Sequence, residues 1–256
     1  QDAKSTAGAR FTQEARLTEV ALSTSNAQAT MEVGKTATKA YQQTQRASTA
    51  TQAKIIKLTS TGAFVQQATL QAETIFNLIN KLYQDGVIAN MDGTYVNLGS
   101  FDQSWAQINW FKWWRTDYEP ENFAIRTDLS WKSASDVANW FNSGCGFAFG
   151  EIDDDNFHVA HLRLDGFVTL KYWHRGQGNW IAKRPVGKIT IPEGEAEIMM
   201  VVYDKRVTFY VNNVKVLSEY AGLLKPGTLS LTLISGTNRG FGTRCIMRNI
   251  DLWVFE

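Results

Sequence analysis

The sequence predicts two regions of different structure, a long helical tail or stalk over residues 1–86 and an all-β antiparallel sandwich over residues 87–256. Three observations predict this arrangement of α and β structure in separate regions. All nine Trp and all four Pro of the 256-residue chain lie after Gly86. Residues 1–70 are dominated by Ala, Thr, Gln and Ser, a composition that builds no core by itself. Turn residues separate short apolar runs in the second region, which is typical of β structure.

A six-residue repeat occupies the start of the tail. Thr and Ala recur with this period, at Thr6, Thr12, Thr18, Thr24, Thr30 and Thr36 and at Ala3, Ala9, Ala15, Ala21 and Ala27. Alternating apolar positions favour an extended strand, whereas the helical pattern downstream favours a helix, so both interpretations stay open for residues 1–50, with disorder as a third alternative. Thr-rich chain orders poorly alone, and neighbouring copies of the chain are the simplest source of contacts. We expect a homo-oligomer or filament; the alternative is a tail folded back along its own sandwich.

A seam of mostly apolar residues marks the end of the tail. Its positions alternate three and four apart, which is the spacing of a coiled-coil helix. They are Ile55, Leu58, Gly62, Val65, Thr69, Ala72, Phe76, Ile79 and Tyr83, and all except Gly62 and Thr69 form the predicted assembly seam. Lys81 and Gly86 then provide the cation and the glycine typical of a helix C-terminus. The pattern predicts a helix over residues 51–85.

Ten short segments between turn signals are candidate strands of the second region. They are Phe123–Trp131, Gly146–Ile152, Phe157–Leu164, Phe167–Trp173, Lys188–Ile191, Ala196–Tyr203, Arg206–Val211, Val214–Glu219, Thr228–Ile234 and Ile246–Phe255. About ten strands without a convincing helix between them predict two packed antiparallel sheets. The cluster Trp105, Trp110, Phe111, Trp113 and Trp114 precedes them, and we expect it to lock the tail to the sandwich rather than to bind a ligand.

Several strand motifs look like those of the concanavalin A-like lectin/glucanase sandwich. They are Phe123 to Trp131, Gly146 to Phe149, Asn156 to Val159, Leu164 to Phe167, Val207 to Asn212 and Asn249 to Trp253, within residues 95–256. The pattern is closest to the laminin-G-like and keto-disaccharide-hydrolase-like domains of bacterial surface proteins. The resemblance implies a jelly-roll fold and one of three functions, namely sugar binding, glycan cleavage or adhesion.

One acidic segment resembles the catalytic motif Glu-x-Asp-x-Glu of retaining glucanases with this fold. Glu151 and Asp153 match its first two positions, but Asp155 replaces the second Glu and is one methylene shorter. Residues 153–156 also have the composition of a hairpin turn, whereas two catalytic carboxylates must be held about 5 to 5.5 Å apart. We therefore predict a solvated turn and no enzyme activity, with a weak calcium site as the other alternative.

A possible carbohydrate site lies in the segment 172–180. The aromatic rings of Trp173 and Trp180 are suited to stacking on sugar rings, and the polar groups of Arg175, Gln177 and Asn179 are suited to binding hydroxyls. The simpler interpretation is that both indoles pack against the sandwich or against a neighbouring subunit.

Metal ligation is not indicated by the three histidines. They lack metal-ligand spacing with cysteines, and His158 and His161 differ in parity, so they face opposite sides of one strand. We therefore predict no metal site and no cofactor.

Charge and cysteine usage bear on partners and on the compartment. The net charge of +1, from 26 basic and 25 acidic residues, provides no field that would attract nucleic acid. No apolar run approaches the roughly 20 residues of a membrane-spanning helix. Cys145 and Cys245 are expected to form one disulfide, with a free buried pair as the alternative. A chain that begins at Gln1 without an apolar leader is interpreted as a processed, exported product.

The sequence thus predicts an extracellular or cell-surface structural subunit that self-associates through residues 1–86 and displays a lectin-like sandwich. The second hypothesis is a carbohydrate-binding adhesion module on an oligomeric stalk, and the third is a glycoside hydrolase. The expected partners are other copies of the chain and glycans, with no membrane insertion.

Overall fold

A computed structural model describes residues 71–108 and 110–256 of the chain. The chain divides into two compact units, Gln1–Ala68 and Thr69–Glu256, and only the second lies in the described part. The predictions for the Ala/Thr repeat and for the seam residues Ile55, Leu58 and Val65 therefore lie outside the described residues.

The second unit contains an antiparallel β-sandwich, as the sequence predicts. Its strands are β1 (Gly93–Asn97), β2 (Phe101–Trp105), β3 (Trp110–Arg115), β4 (Phe123–Ser133), β5 (Gly144–Asp153), β6 (Asn156–Arg163), β7 (Phe167–His174), β8 (Gln177–Pro185), β9 (Glu193–Tyr203), β10 (Arg206–Val211), β11 (Val214–Tyr220), β12 (Thr228–Ser235) and β13 (Thr243–Phe255). A short 3-10 helix, Trp140–Asn142, precedes β5. The unit also includes a helix, α1, over residues 71–84.

The strands form two sheets. The seven-stranded sheet has the order β1-β13-β4-β9-β10-β11, with β2 also paired to β13. The six-stranded sheet has the order β3-β12-β5-β6-β7-β8. β13 pairs with β1 along its second half and with β2 along its first half, and its register with β4 shifts between Arg248 and Asp251. All the strand pairs in both sheets are antiparallel.

The main core lies between the two sheets and contains large buried side chains from both, among them Phe123, Phe147, Phe209 and Leu229. The seven-stranded sheet is buried on its other side as well, where Met199 and Val201 pack in the same cluster as the helix. This two-sided burial explains why the run Ile198–Val202 is continuously apolar instead of alternating.

Helix α1 ends as its sequence predicts. Gly86 has a φ of +67°, a left-handed conformation that glycine adopts without a Cβ penalty. The amide of Val87 donates to the carbonyl of Leu82 at 2.9 Å, and the amide of Gly86 donates to that of Tyr83 at 3.1 Å. These bonds use carbonyls that would otherwise lack partners at a helix end.

The buried face of α1 differs from the predicted seam. Ile75, Ile79 and Leu82 are buried in the cluster on the seven-stranded sheet. Of the seam residues, Ile79 is fully buried, whereas Phe76 and Tyr83 remain 51% and 48% exposed; Ala72 is half-buried. The predicted seam therefore lies beside the buried face of α1, because residues 75, 79 and 82 are the ones that pack against the seven-stranded sheet. These helical residues, placed in the tail by sequence, belong to the compact unit that begins at Thr69.

One predicted strand is wrong and others were missed. Residues 188–191 lie in an irregular segment, and the strand of this region is β8, which begins at the hairpin after β7. The sequence also gave no signal for β1, β2 and β3. β8 was missed because a register shift opposite Leu170 and Lys171 breaks its alternation, and because most of its residues remain exposed.

The predicted disulfide is present. Cys145 on β5 bonds to Cys245 on β13, with their Cα atoms 6.0 Å apart, and it therefore joins the two sheets through the core. The closed loop spans a sequence separation of 100 residues, for which the chain-entropy estimate of the stabilisation is about 4.7 kcal/mol. In the described residues, no helix has the length and apolar character needed to cross a membrane.

Candidate functional site

The predicted site residues of segment 172–180 are divided between the faces of the β7–β8 hairpin. Trp173 lies opposite Gly178, and Lys171 lies opposite Trp180. Because side chains alternate along a strand, both indoles lie on one face, and Gln177 and Asn179 lie on the other. Arg175 lies at the turn, with a φ of +52°.

The two indoles belong to the outer face of the six-stranded sheet, the face turned away from the main core. Here a second apolar cluster contains Phe111, Phe157, Trp113 and Trp173. The rings of Phe157 and Trp173 stack with centroids 5.0 Å apart and planes 9° apart. The centroids of Phe111 and Trp173 are separated by 5.1 Å. Gly178 leaves room for this arrangement, because a Cβ there would lie 3.0 Å from the Trp173 indole.

The aromatic cluster of residues 105–114 is divided in a similar way. Phe111 and Trp113 lie on the outer face, whereas Trp105 and Trp114 pack against the main core. Trp110 is 54% exposed at the start of β3. Within β3, strand alternation places Phe111 and Trp113 on one face and Trp114 on the other, whereas Trp105 belongs to β2.

A cavity lies on the outer face of the six-stranded sheet. One register row crosses the sheet through Trp113, Thr232, Gly146, His161, Thr169 and Lys183. The sheet is closely packed at Gly146, where a Cβ would clash with the carbonyl oxygen of Ala160. The cavity has a volume of about 140 Å³ and shares His161 and Thr169 with this row; it is lined by Trp110, Phe111, Asn142, His161, Arg163, Thr169, Lys171, Trp173 and Ile234.

Cations on aromatic rings form the second half of the site. The guanidinium carbon of Arg163 lies 3.6 Å from the ring centroid of Phe141. The ammonium of Lys171 lies 3.7 Å from the ring centroid of Trp180. Such contacts hold a cation in place without neutralising its charge.

Burial changes the ionisation of the cavity residues. Burial, together with the charges of Arg163 and Lys171, lowers the pKa of His161 to about 3, so this imidazole is neutral at pH 7. Burial and the charge of Arg163 lower the pKa of Lys171 to about 8, so most of this lysine remains charged.

Several polar atoms at this site have no hydrogen-bond partner. Nε2 of His161 and both Nε and Nη2 of Arg163 are buried and unpaired. A buried polar atom without a partner costs about 1–3 kcal/mol, and a charged one costs more. A bound polar ligand would remove this cost, which makes the cavity the strongest candidate for a binding site in the described residues.

The carboxylates of the acidic segment that resembles a glucanase motif are bound to neighbouring side chains or lie in a turn. Glu151 is buried and accepts two hydrogen bonds from Arg115, with 2.9 Å between Nε and Oε1. Its other oxygen lies 3.4 Å from the hydroxyl of Ser230. Asp153 and Asn156 are paired at the end of the β5–β6 hairpin, which confirms the predicted turn. The Asp153 carboxylate accepts a hydrogen bond from the Asp155 amide at 2.9 Å within that turn.

The two neighbouring histidines face opposite sides of β6, as their parity predicts. The ring of His158 lies 5.6 Å from that of Phe149 in the main core, whereas the ring of His161 lies 6.3 Å from that of Phe111 on the outer face. No group of His, Cys, Asp and Glu suited to a metal ion occurs in the residues that the structure describes.

Comparison with known proteins finds similarity of fold. No family model matches the chain, and no curated protein matches it. Among solved structures, carbohydrate-binding module CBM66 from Bacillus subtilis is 12% identical, with a TM-score of 0.47, and the match covers 61% of this chain and 94% of the module. A galectin-like protein of unknown function from Bacillus subtilis is 12% identical, with a TM-score of 0.44, and the match covers 64% of this chain and 91% of that protein.

A putative glycosyl hydrolase from Parabacteroides distasonis is 14% identical, with a TM-score of 0.38, over 56% of this chain and 76% of that protein. The described unit consists of two packed antiparallel sheets, and these neighbours are similar to it in fold. Identities this low concern the fold alone and carry no argument about ligand or activity.

Proposed function

We propose that the sandwich binds carbohydrate through the outer face of its six-stranded sheet. The observation that carries this proposal is the cavity in which aromatic rings stand beside unpaired polar atoms of His161 and Arg163. Sugar rings present C–H groups that pack on aromatic faces, and their hydroxyls are both donors and acceptors of hydrogen bonds. The aromatic rings of the cavity suit the C–H faces of a sugar, and its polar atoms suit the hydroxyls.

A purely structural role for the aromatic rings accounts for only part of the arrangement. Phe111 and Phe157 are buried, so packing alone explains them. Trp180 is 47% exposed at the rim of the site, and its indole carries the Lys171 ammonium. Packing of the rings also leaves the buried Nε2 of His161 without a hydrogen-bond partner.

Calorimetric titration of the full chain with neutral and acidic oligosaccharides tests this proposal. We expect at least one oligosaccharide to bind, and Trp180→Ala to weaken its binding by about tenfold or more through lost ring contacts. Tyr220→Ala is the matched control, because Tyr220 is a 60% exposed aromatic residue on the other sheet. Absence of binding to every oligosaccharide, or equal weakening by both variants, would contradict the proposal.

The same proposal includes a non-catalytic role. Its support is that Glu151 is bound by Arg115 and Ser230 and that the following acidic residues form a turn. Incubation of the chain with the same oligosaccharides should release no reducing ends. Turnover that disappears in Glu151→Gln would establish a glycosidase instead.

Self-association and an extracellular location remain predictions from the sequence. The assembly seam extends into residues that the structure does not describe, but its members Phe76 and Tyr83 are about half exposed on α1 and leave apolar surface for a partner. The disulfide between Cys145 and Cys245 is of the kind that persists in oxidising compartments. Both features fit an exported module that displays its glycan site.

A further inference from the structure

We propose that the outer-face site takes an anionic sugar, one that carries a carboxylate or a sulfate group, and that this group binds between Arg163 and Lys171. The inference rests on the proposed carbohydrate-binding function and narrows its ligand class. It comes from the charge of the cavity, because aromatic stacking alone would accept neutral and charged sugars equally.

The cavity has cations in its wall and no carboxylate. Arg163 and Lys171 both line it, whereas none of the described lining residues is Asp or Glu. The carboxylate nearest to Arg163 is that of Asp165, whose Oδ1 lies 3.7 Å from Nε and is thus beyond hydrogen-bond length. The other oxygen of Asp165 accepts a hydrogen bond from Lys183 at 3.2 Å. One carboxylate is therefore shared between two cations, and Lys171 has no ion pair among the described residues.

The guanidinium of Arg163 is held in place beside the cavity. Its side chain is only 3% exposed, and the ring of Phe141 covers one side of it. Nε faces Oδ1 of Asp165 at 3.7 Å, whereas Nη2 has no hydrogen-bond partner and is the nitrogen left for a ligand oxygen. A charge-assisted bond from this group to a carboxylate or sulfate oxygen is stronger than a bond to a neutral group.

Lys171 supplies the second charge. Its ammonium rests on the indole of Trp180, and burial beside Arg163 lowers its pKa to about 8. An anion between the two cations would screen their repulsion and stabilise the charged lysine. A neutral sugar would meet the hydrogen-bonding needs of the site but would leave this repulsion in place.

The test titrates the full chain with acidic oligosaccharides and their uncharged counterparts. The carboxylate arm compares oligogalacturonate and oligoguluronate with their methyl esters, and the sulfate arm compares carboxyl-reduced chondroitin sulfate and heparan sulfate fragments with the same carboxyl-reduced fragments after desulfation. We expect at least one acidic member to bind about tenfold or more tightly than its counterpart. The arm that binds identifies the anionic group.

Two further measurements locate the charge effect. Lys171→Met keeps the aliphatic stem and should remove most of the preference for the acidic ligand, whereas Lys215→Met, which removes an exposed charge from the other sheet, should retain it. Raising NaCl from 50 to 500 mM should weaken acidic but not neutral binding in the unmodified chain, and this readout does not depend on a variant folding.

The outcomes separate the inference from the function on which it rests. Equal affinity for acidic and uncharged members would overturn the anionic class and leave carbohydrate binding standing. Binding that Lys171→Met and Lys215→Met reduce equally would show a nonspecific charge effect and would also overturn it. Failure of every oligosaccharide to bind would overturn both.

Discussion

His161 is an imidazole on the outer face of a sheet that is nonetheless 6% exposed, because the rings of Phe111 and its neighbours cover it. His158, on the opposite side of the same strand, is 4% exposed and has both ring nitrogens unpaired. Burial lowers the pKa of His158 to about 4 and contributes most to the fall in the pKa of His161 to about 3. The folded chain therefore keeps both rings neutral where the unfolded chain protonates them.

This difference predicts a loss of stability in mild acid. The pKa of an unfolded histidine is about 6.5, so between that value and the folded pKa the unfolded state binds more protons. Stability is then complete above about pH 7.5 and falls as the pH is lowered through about 6.5. From about pH 7.5 to about pH 5, each of His158 and His161 should lower the free energy of unfolding by about 2 kcal/mol. Urea denaturation at both pH values measures the change.

Variants assign that pH dependence to its source. His161→Gln removes one titrating ring, so the difference in unfolding free energy between the two pH values should shrink by about 2 kcal/mol. His174→Gln, at the exposed end of β7, is the control for a His-to-Gln substitution outside the buried positions. An equal pH dependence in His161→Gln and the unmodified chain would show that this histidine is not protected from protonation in the folded state.

At the scale of the elements, α1 shows how packing selects one face of a helix. Ile75, Ile79 and Leu82 are each no more than 2% exposed against the seven-stranded sheet. Phe76 lies one residue from this face and is 51% exposed, although it is larger and apolar. The helix therefore packs one stripe against the sheet and exposes another, which includes Phe76 and Tyr83.

Substitutions on the two stripes should have opposite consequences. Ile79→Ala opens a cavity under the helix and should lower the free energy of unfolding by about 2–5 kcal/mol. Phe76→Ala removes a side chain that is half in solvent, so it should change stability by less than about 1 kcal/mol. Thermal or urea unfolding of both variants, at a concentration that excludes assembly, measures the two changes in unfolding free energy. Similar losses in the two would show that α1 rests on the sheet in another orientation.

The same scale shows what the sequence could predict. Strong alternation between clear turn residues located β4, β10 and the β5–β6 hairpin, and the paired asparagines 212 and 213 both adopt positive φ at the predicted turn after β10. The sequence did not predict β8, because most of its residues are exposed and a register shift interrupts the alternation of apolar and polar positions. Sheet order depends on long-range pairing, and nothing local in β12 indicates that it lies between β3 and β5.

The site was only partly predictable for the same reason. Trp173 and Trp180 could be proposed from the sequence because aromatic residues at a hairpin are visible there. His161, Arg163 and Lys171 of the proposed site could not, because their proximity follows from the pairing of β6, β7 and β8. The spacing of two between His161 and Arg163 was the only local signal, since it places both on one face of a strand.

At the scale of the whole molecule, the sandwich has separate surfaces for separate contacts. The disulfide joins its two sheets through the core, and the aromatic and cationic site occupies the outer face of the six-stranded sheet. Helix α1 covers the opposite side, against the seven-stranded sheet. A partner bound at Phe76 and Tyr83 would therefore not cover the proposed glycan site, so the predicted assembly and the proposed binding are compatible.

Sedimentation velocity of the full chain tests whether that exposed stripe takes part in assembly. If the seam contacts other copies, the chain should sediment well above its 28.8 kDa monomer mass, and the double variant Phe76→Ser with Tyr83→Ser should shift toward the monomer because it loses apolar contact area. Val137→Ser with Val214→Ser is the control, because these valines are 73% and 65% exposed outside the helix. A monomeric full chain would make the assembly prediction wrong, and an assembly that survives the first variant but not the second would assign the contacts to the sandwich.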